Sequence, residues 1–168
     1  MELFEAITTR SSAGRLTEPG PTPEHLARIL EAGGHAPDHG RLKPWRFIVL
    51  DDDGRSRFAE AAALGRMARL PTPTPEQLAA EREKIWRSPR VIVVGCRVQR
   101  DNAKIPEVEQ VLAAGAAVQN MFLAAHALGY GVMWKTGPAA YEGAVKAAVG
   151  LEPDDLIVAI LHLGTRLK

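Results

Sequence analysis

Cysteine is almost missing from this chain. The single one, Cys96, excludes an intrachain disulfide and suits a reducing compartment. An excess of one charge is missing too: the formal net charge is +1, with acids and bases spread along the sequence. A dedicated nucleic-acid binder gathers Lys and Arg on one face, so that class is set aside. No run suits a lipid bilayer. Val111 to Leu128 comes nearest, but alanine dominates it and Gln119, Asn120 and His126 interrupt it. A membrane span wants about 20 strongly apolar residues, so a buried helix is expected there. The N-terminus shows no basic stretch followed by an apolar run, and the cytoplasm is the expected compartment.

Several catalytic signatures are lacking as well. There is no GxSxG elbow and no GxGxxG turn. His35 and His39 are four apart, as zinc ligands on a helix can be, but Pro37 and the flanking glycines make that segment a loop. No metal site is expected. Cys96 falls inside an apolar run, where inert packing outweighs nucleophilic work.

What is present reads as one domain over residues 1–168. Glu2 to Arg10 predicts a short helix with Leu3, Ala6 and Ile7 on one face. Thr22 and Pro23 open a second helix that stops at Gly33 and Gly34. Arg46 to Leu50 reads as a strand, Arg55 to Leu70 as a helix, and Thr74 as the cap of another helix ending near Arg87. Val91 to Val98 is a strand buried on both faces. A long helix from Val108 to Leu128, a strand from Val132 to Trp134, a helix from Glu142 to Val149 and a strand from Leu156 to Leu163 complete the chain. The fold class is therefore α+β: a mixed central sheet flanked by helices, without a doubly wound repeat.

The long helix is apolar nearly all round and must be covered on nearly all sides. A twofold partner packed against its alanine-rich surface is the economical explanation; other helices of the same chain are the alternative.

Three polar clusters remain. Arg10, Ser11 and Ser12, with Arg15 nearby, offer a guanidinium fork and hydroxyls suited to phosphate. They also fit a helix end compensated by an arginine, followed by turn residues. The loop from His35 to Trp45 gathers His39, Arg41 and Lys43 before a core strand, a common setting for binding groups. Its Pro44 and Trp45 serve equally to seed the strand and anchor the core. Trp134, Lys135 and Thr136 leave a short strand together, as a ring pocket or as a plain edge.

Taken together these segments resemble the FMN-dependent nitroreductases. RSSAGRL is similar to that family's N-terminal R-x-S-x-R-x-F/L pattern, and ILEAGGHAPDHGRLKPWRFIVL to its helix, A-P-S/D loop and P-W-x-F-x-V strand. The Ala-rich helix, GYGVMW and LIVAILHLGT follow in the family's order, and the likeness to its short bacterial NAD(P)H nitroreductases spans the whole chain. The resemblance implies a nitroreductase-like fold, an intertwined homodimer and FMN at the subunit interface. It places Arg10, Ser11 and Ser12 on the phosphate and ribityl chain, and His35 and His39 against a flavin bound mainly by the other subunit. Trp134, Lys135 and Thr136 would line the ring, with Lys135 offsetting negative charge near N1 and O2. It implies hydride transfer from NAD(P)H through FMN to nitroaromatics, quinones or similar acceptors by a ping-pong cycle. A flavin carrier, sensor or flavin-modifying protein without that turnover is the alternative. Ser11 stands where Arg or His is common, His35 where the subgroup often has Arg, and Lys43 where Gln is usual. Larger members carry a basic tail that contacts the phosphate; Arg166 and Lys168 are the candidates to stand in for it here.

Overall fold

A computed structural model describes residues 1–70 and 72–167. Helix α1 spans Leu3–Thr9, and the two-residue strand β1 is Leu16–Thr17. Then come α2 (Pro23–Gly34), β2 (Trp45–Leu50), α3 (Asp52–Arg69), α4 (Pro75–Glu83) and β3 (Arg90–Cys96). The long helix α5 is Glu107–Ala127, followed by β4 (Gly131–Lys135), α6 (Gly143–Ala148) and β5 (Leu156–Arg166). Single 3-10 turns fall at His39–Arg41, Lys84–Trp86 and Pro138–Tyr141.

Local chemistry accounts for most helix starts. The Thr22 hydroxyl accepts from His25 N–H ahead of Pro23. The Asp51 side chain accepts from Gly54 N–H, so the DDDG segment, a turn signal by its sequence, starts α3. Thr74 and Gln77 form a reciprocal capping box at α4. The segment PTPTP ahead of α4, whose prolines predict a stiff extended linker, includes Pro71, which lies outside the described residues.

The α+β class stands, with helices on both faces of one sheet. Strand direction is a correction. β5 lies between β3 and β4, β2 pairs with β3, and every recorded pairing is antiparallel where a mixed sheet was expected. The reason is connectivity. Helices α3 and α4 carry the chain out and back, so β3 starts opposite the end of β2, with Leu50 facing Val91. Helix α5, about 30 Å long at 1.5 Å per residue, returns the chain along the sheet. Strand β4 therefore runs in the same sense as β3, and β5 separates the two.

Strand β3 alternates its side chains between two cores. Val91 and Val93 pack with α3 and α6, whereas Ile92 and Val94 pack with α2 and α5. Helix α1 forms where expected, but its apolar face is mostly uncovered. Only Ala6 is buried, while Leu3 (60% exposed), Phe4 (73%) and Ile7 face outward. On α5, Val108 (62%) and Leu112 (66%) are exposed too, so this chain alone leaves part of that helix uncovered.

Candidate functional site

Helix α1 ends at Thr9, and Arg10 turns into extended backbone, with φ −58° and ψ 128°. The Arg10 guanidinium lies 4.9 Å from the centroid of the Phe122 ring on α5. The segment that follows passes over the end of the sheet, where Ala13 N–H donates to Val132 O at 2.8 Å. Room for this crossing comes from Gly131: a Cβ there would sit 2.7 Å from Leu16 and 3.0 Å from Ala13. Strand β5 runs three residues past its expected end and carries Arg166 to the same corner. Arg166 Nη1 donates to Ser11 Oγ at 2.9 Å, and Nη2 donates to Ser11 O at 2.6 Å. Arg166 and Ser11, with exposed Ser12 beside them and Arg10 next in sequence, thus gather donors suited to a phosphate.

Gly14 and Leu16 of the same segment line a cavity of about 240 Å³ on the α3 side of the sheet. Lys135, Thr136 and Gly137 form one rim, and the Glu81–Arg87 segment faces them. In β4, Lys135 pairs with Ile160 and Trp134 with Leu161, so the two neighbours point to opposite faces. Lys135 joins the cavity, whereas Trp134 donates its indole N–H to Val158 O at 3.1 Å. The expected cluster is therefore split, with Lys135 and Thr136 on the cavity and Trp134 outside it.

Charge around the cavity is uneven. The buried Glu81 carboxylate is met by Lys84 Nζ at 2.7 Å and by Arg66 Nη1 at 3.2 Å. Lys135 and Arg87 have no ion pair or hydrogen bond among the described residues. They remain available to an anionic or carbonyl-bearing ligand. Beneath them, His162 is only 6% exposed, and its Nδ1 lies 2.9 Å from Ser88 Oγ. Burial, reinforced by the nearby cations of Lys135, Arg55 and Arg87, pushes the His162 pKa down to about 4.

His35 and His39 lie elsewhere. His35 closes α2 and is exposed, while His39 Nδ1 contacts Glu109 Oε2 at 2.6 Å near the start of α5. Arg10 touches the same helix at Phe122, thirteen residues on, about 20 Å away at 1.5 Å per residue. A single chain thus does not bring these histidines to Arg10. Their loop is strained: Arg41 and Lys43 both adopt positive φ, at 56° and 46°, and Lys43 N–H donates to the Asp38 carboxylate at 2.6 Å.

Comparison with known proteins decides the family. The Nitroreductase family model matches residues 7–165. The chain belongs to the nitroreductase family. Among curated relatives, YdjA of Escherichia coli (strain K12), by name a candidate NAD(P)H nitroreductase, is 38% identical over 98% of this chain and 88% of its own. A nitroreductase-like family protein from Bacillus cereus superposes with TM-score 0.81 at 26% identity, covering 100% of this chain and 87% of that one. A candidate nitroreductase from Desulfovibrio desulfuricans, crystallised in complex with FMN, reaches TM-score 0.74 at 31% identity, covering 100% and 88%.

For this nitroreductase-family chain, reading the sequence missed Lys84, Arg87, Ser88 and His162. One signal was legible: His162 is the lone ionisable side chain in the apolar run LIVAILHLG. Lys84 and Arg87 gave none, because a cation after a helix is ordinarily solvated. Cys96 is buried as expected, with its pKa raised to about 11, chiefly by desolvation. Lys168 lies outside the described residues.

Proposed function

We propose that this chain is an FMN-dependent oxidoreductase that takes electrons from NAD(P)H and passes them to nitroaromatics, quinones or similar acceptors in a ping-pong cycle. The observation that carries this reading is a cavity with two unpaired cations beside a separate guanidinium–hydroxyl cradle, in a chain of this family. Arg166 stands four residues beyond His162 on β5, about 13 Å at 3.3 Å per residue. That separation suits a molecule with a ring at one end, a polyol arm and a phosphate at the other.

Bound FMN supplies the two-electron redox chemistry, and the protein supplies binding, orientation and electrostatics. Arg10, Ser11, Ser12 and Arg166 hold the phosphate. Lys135 and Arg87 offset negative charge on the ring edge, more strongly in a cavity walled by Leu16, Phe58 and Ile160 than in water. Thr136 and Gly137 line the rim, where backbone can approach the ring closely.

The same reading includes a homodimer. Leu3, Phe4 and Ile7 on α1 and Val108 and Leu112 on α5 are exposed apolar side chains that one chain does not cover. Pairing two copies along α5 in opposite directions brings His35 and His39 of the partner subunit toward the Arg10 end. The site is then shared between protomers.

The test is an absorbance spectrum of the purified protein before and after anaerobic NADH or NADPH. Flavin bands that bleach with a nicotinamide are expected, and Arg166→Ala should weaken FMN binding about tenfold or more through loss of charged hydrogen bonds. A colourless protein that FMN neither colours nor stabilises refutes the cofactor assignment. Bands that persist with both nicotinamides refute the donor assignment.

A further inference from the structure

The cavity floor contains one acceptor that nothing in the chain uses. Ser88 Oγ lies 2.9 Å from His162 Nδ1 and 3.1 Å from the Arg90 carbonyl oxygen. Serine has a single hydroxyl proton. Both contacts are hydrogen bonds only when the hydroxyl donates to Arg90 O and accepts from Nδ1–H. His162 is then the Nδ1–H tautomer, and Nε2 holds a free lone pair. Nε2 has no partner among the described residues. It is also not one of the fully enclosed unpartnered side-chain atoms, which among the described residues are Nε of Arg55, Arg66 and Arg90. His162 itself lines the cavity, with Nδ1 turned to Ser88 and Nε2 as its remaining nitrogen.

Two cations accompany this acceptor. Lys135 faces Ile160 across the β4–β5 pair, which puts it diagonal to His162 on the same face at about 7 Å. Arg87 immediately precedes Ser88 and also lines the cavity. The depressed basicity of His162 keeps it neutral, hence an acceptor, at physiological pH. A complementary ring edge presents two carbonyl oxygens and one N–H. The imide edge of an isoalloxazine carries that set at C2=O, N3–H and C4=O. Nitroaromatics and simple quinones have no N–H to offer, and seating one on the floor leaves a buried lone pair unsatisfied.

We propose that His162 Nε2 accepts a hydrogen bond from the imide N–H of the ring in the cavity, with Lys135 and Arg87 directed at the flanking carbonyls. The proposal rests on the reading that FMN occupies this cavity. It makes the His162–Ser88 pair the element that selects a flavin over other planar rings and fixes which edge faces the floor.

The experiment compares FMN with 3-methyl-FMN, in which the imide proton is replaced. Protein stripped of flavin is titrated with each, following quenching of flavin fluorescence, for wild type and His162→Leu, with melting curves to establish folding. Wild type should bind 3-methyl-FMN about tenfold or more weakly than FMN, the scale set by one stranded buried acceptor. In His162→Leu the two affinities should agree within about twofold, since the acceptor is gone. Equal affinities in wild type overturn the proposal, and so does an undiminished preference in folded His162→Leu. If His162→Leu does not fold, wild type decides: a scalar coupling between N3 of 15N-labelled FMN and His162 Nε2 supports the bond, and its absence overturns it. Wild type that binds neither flavin refutes the cofactor reading itself, a result distinct from equal binding of both.

Discussion

His162 owes its properties to position alone. On an exposed strand it would titrate near 6.5, but beneath the cavity burial lowers its pKa to about 4. The sign of the resulting pH dependence is fixed. As pH falls, the unfolded chain takes up the proton first, so the folded state loses stability from about pH 6.5 down to about pH 4. Above that window the penalty vanishes, and at its lower end it reaches up to about 3 kcal/mol. Urea melts of wild type and His162→Gln at pH 7 and pH 4.5 check this, because carboxylate contributions cancel in the comparison. A variant losing as much stability as wild type would contradict the assignment. Arg55 is the structural counterpart. Its guanidinium donates to Ile85 O at 3.1 Å and to Pro89 O at 3.4 Å, and stacks over the Trp86 ring at 4.4 Å. It thereby holds the segment that presents Lys84 and Arg87 to the cavity and Ser88 to His162.

Among the elements, α4 connects local sequence most directly to the site. Its capping box is fully local, with Thr74 Oγ1 accepting from Gln77 N–H at 3.3 Å and Gln77 Oε1 from Thr74 N–H at 3.1 Å. Its C-terminal turn delivers Glu81, which organises Arg66 and Lys84. Thr74→Ala should lower stability by about 1 kcal/mol, the usual loss for an N-cap hydroxyl, measured by chemical denaturation. An unchanged midpoint would mean that tertiary contacts alone hold α4. Helix α1 illustrates the opposite case. Its periodicity identified a helix with an apolar side, but periodicity does not say what that side packs against, and Leu3, Phe4 and Ile7 emerged on the surface. Strand β4 behaved in the same way: the run was legible, whereas the alternation that sends Trp134 and Lys135 to opposite faces takes effect only once one face is a cavity.

For the whole molecule, the apolar surface of α1 and α5 and the separation of His39 from Arg10 lead to one expectation. The protein in solution should have twice the chain mass by light scattering, and Leu112→Glu should shift it toward the monomer and weaken FMN binding with it. A wild-type monomer that still binds FMN tightly would refute the shared site. Among the described residues no helix is long and apolar enough to cross a membrane.

By itself the sequence determined the alternation of helices and strands, the helix caps at Thr22 and Thr74, the doubly buried strand β3 and the donor-rich stretch from Arg10 to Ser12. These depend on interactions within a few residues, which are written contiguously along the chain. Only the tertiary structure decided that the strands pair antiparallel, that Arg166 reaches Ser11, that Ser88 meets His162, and that His35 and His39 sit far from Arg10. Each of these joins segments far apart in sequence. Such contacts are set by how connections of particular length return the chain to the sheet, a property that no short window of residues contains.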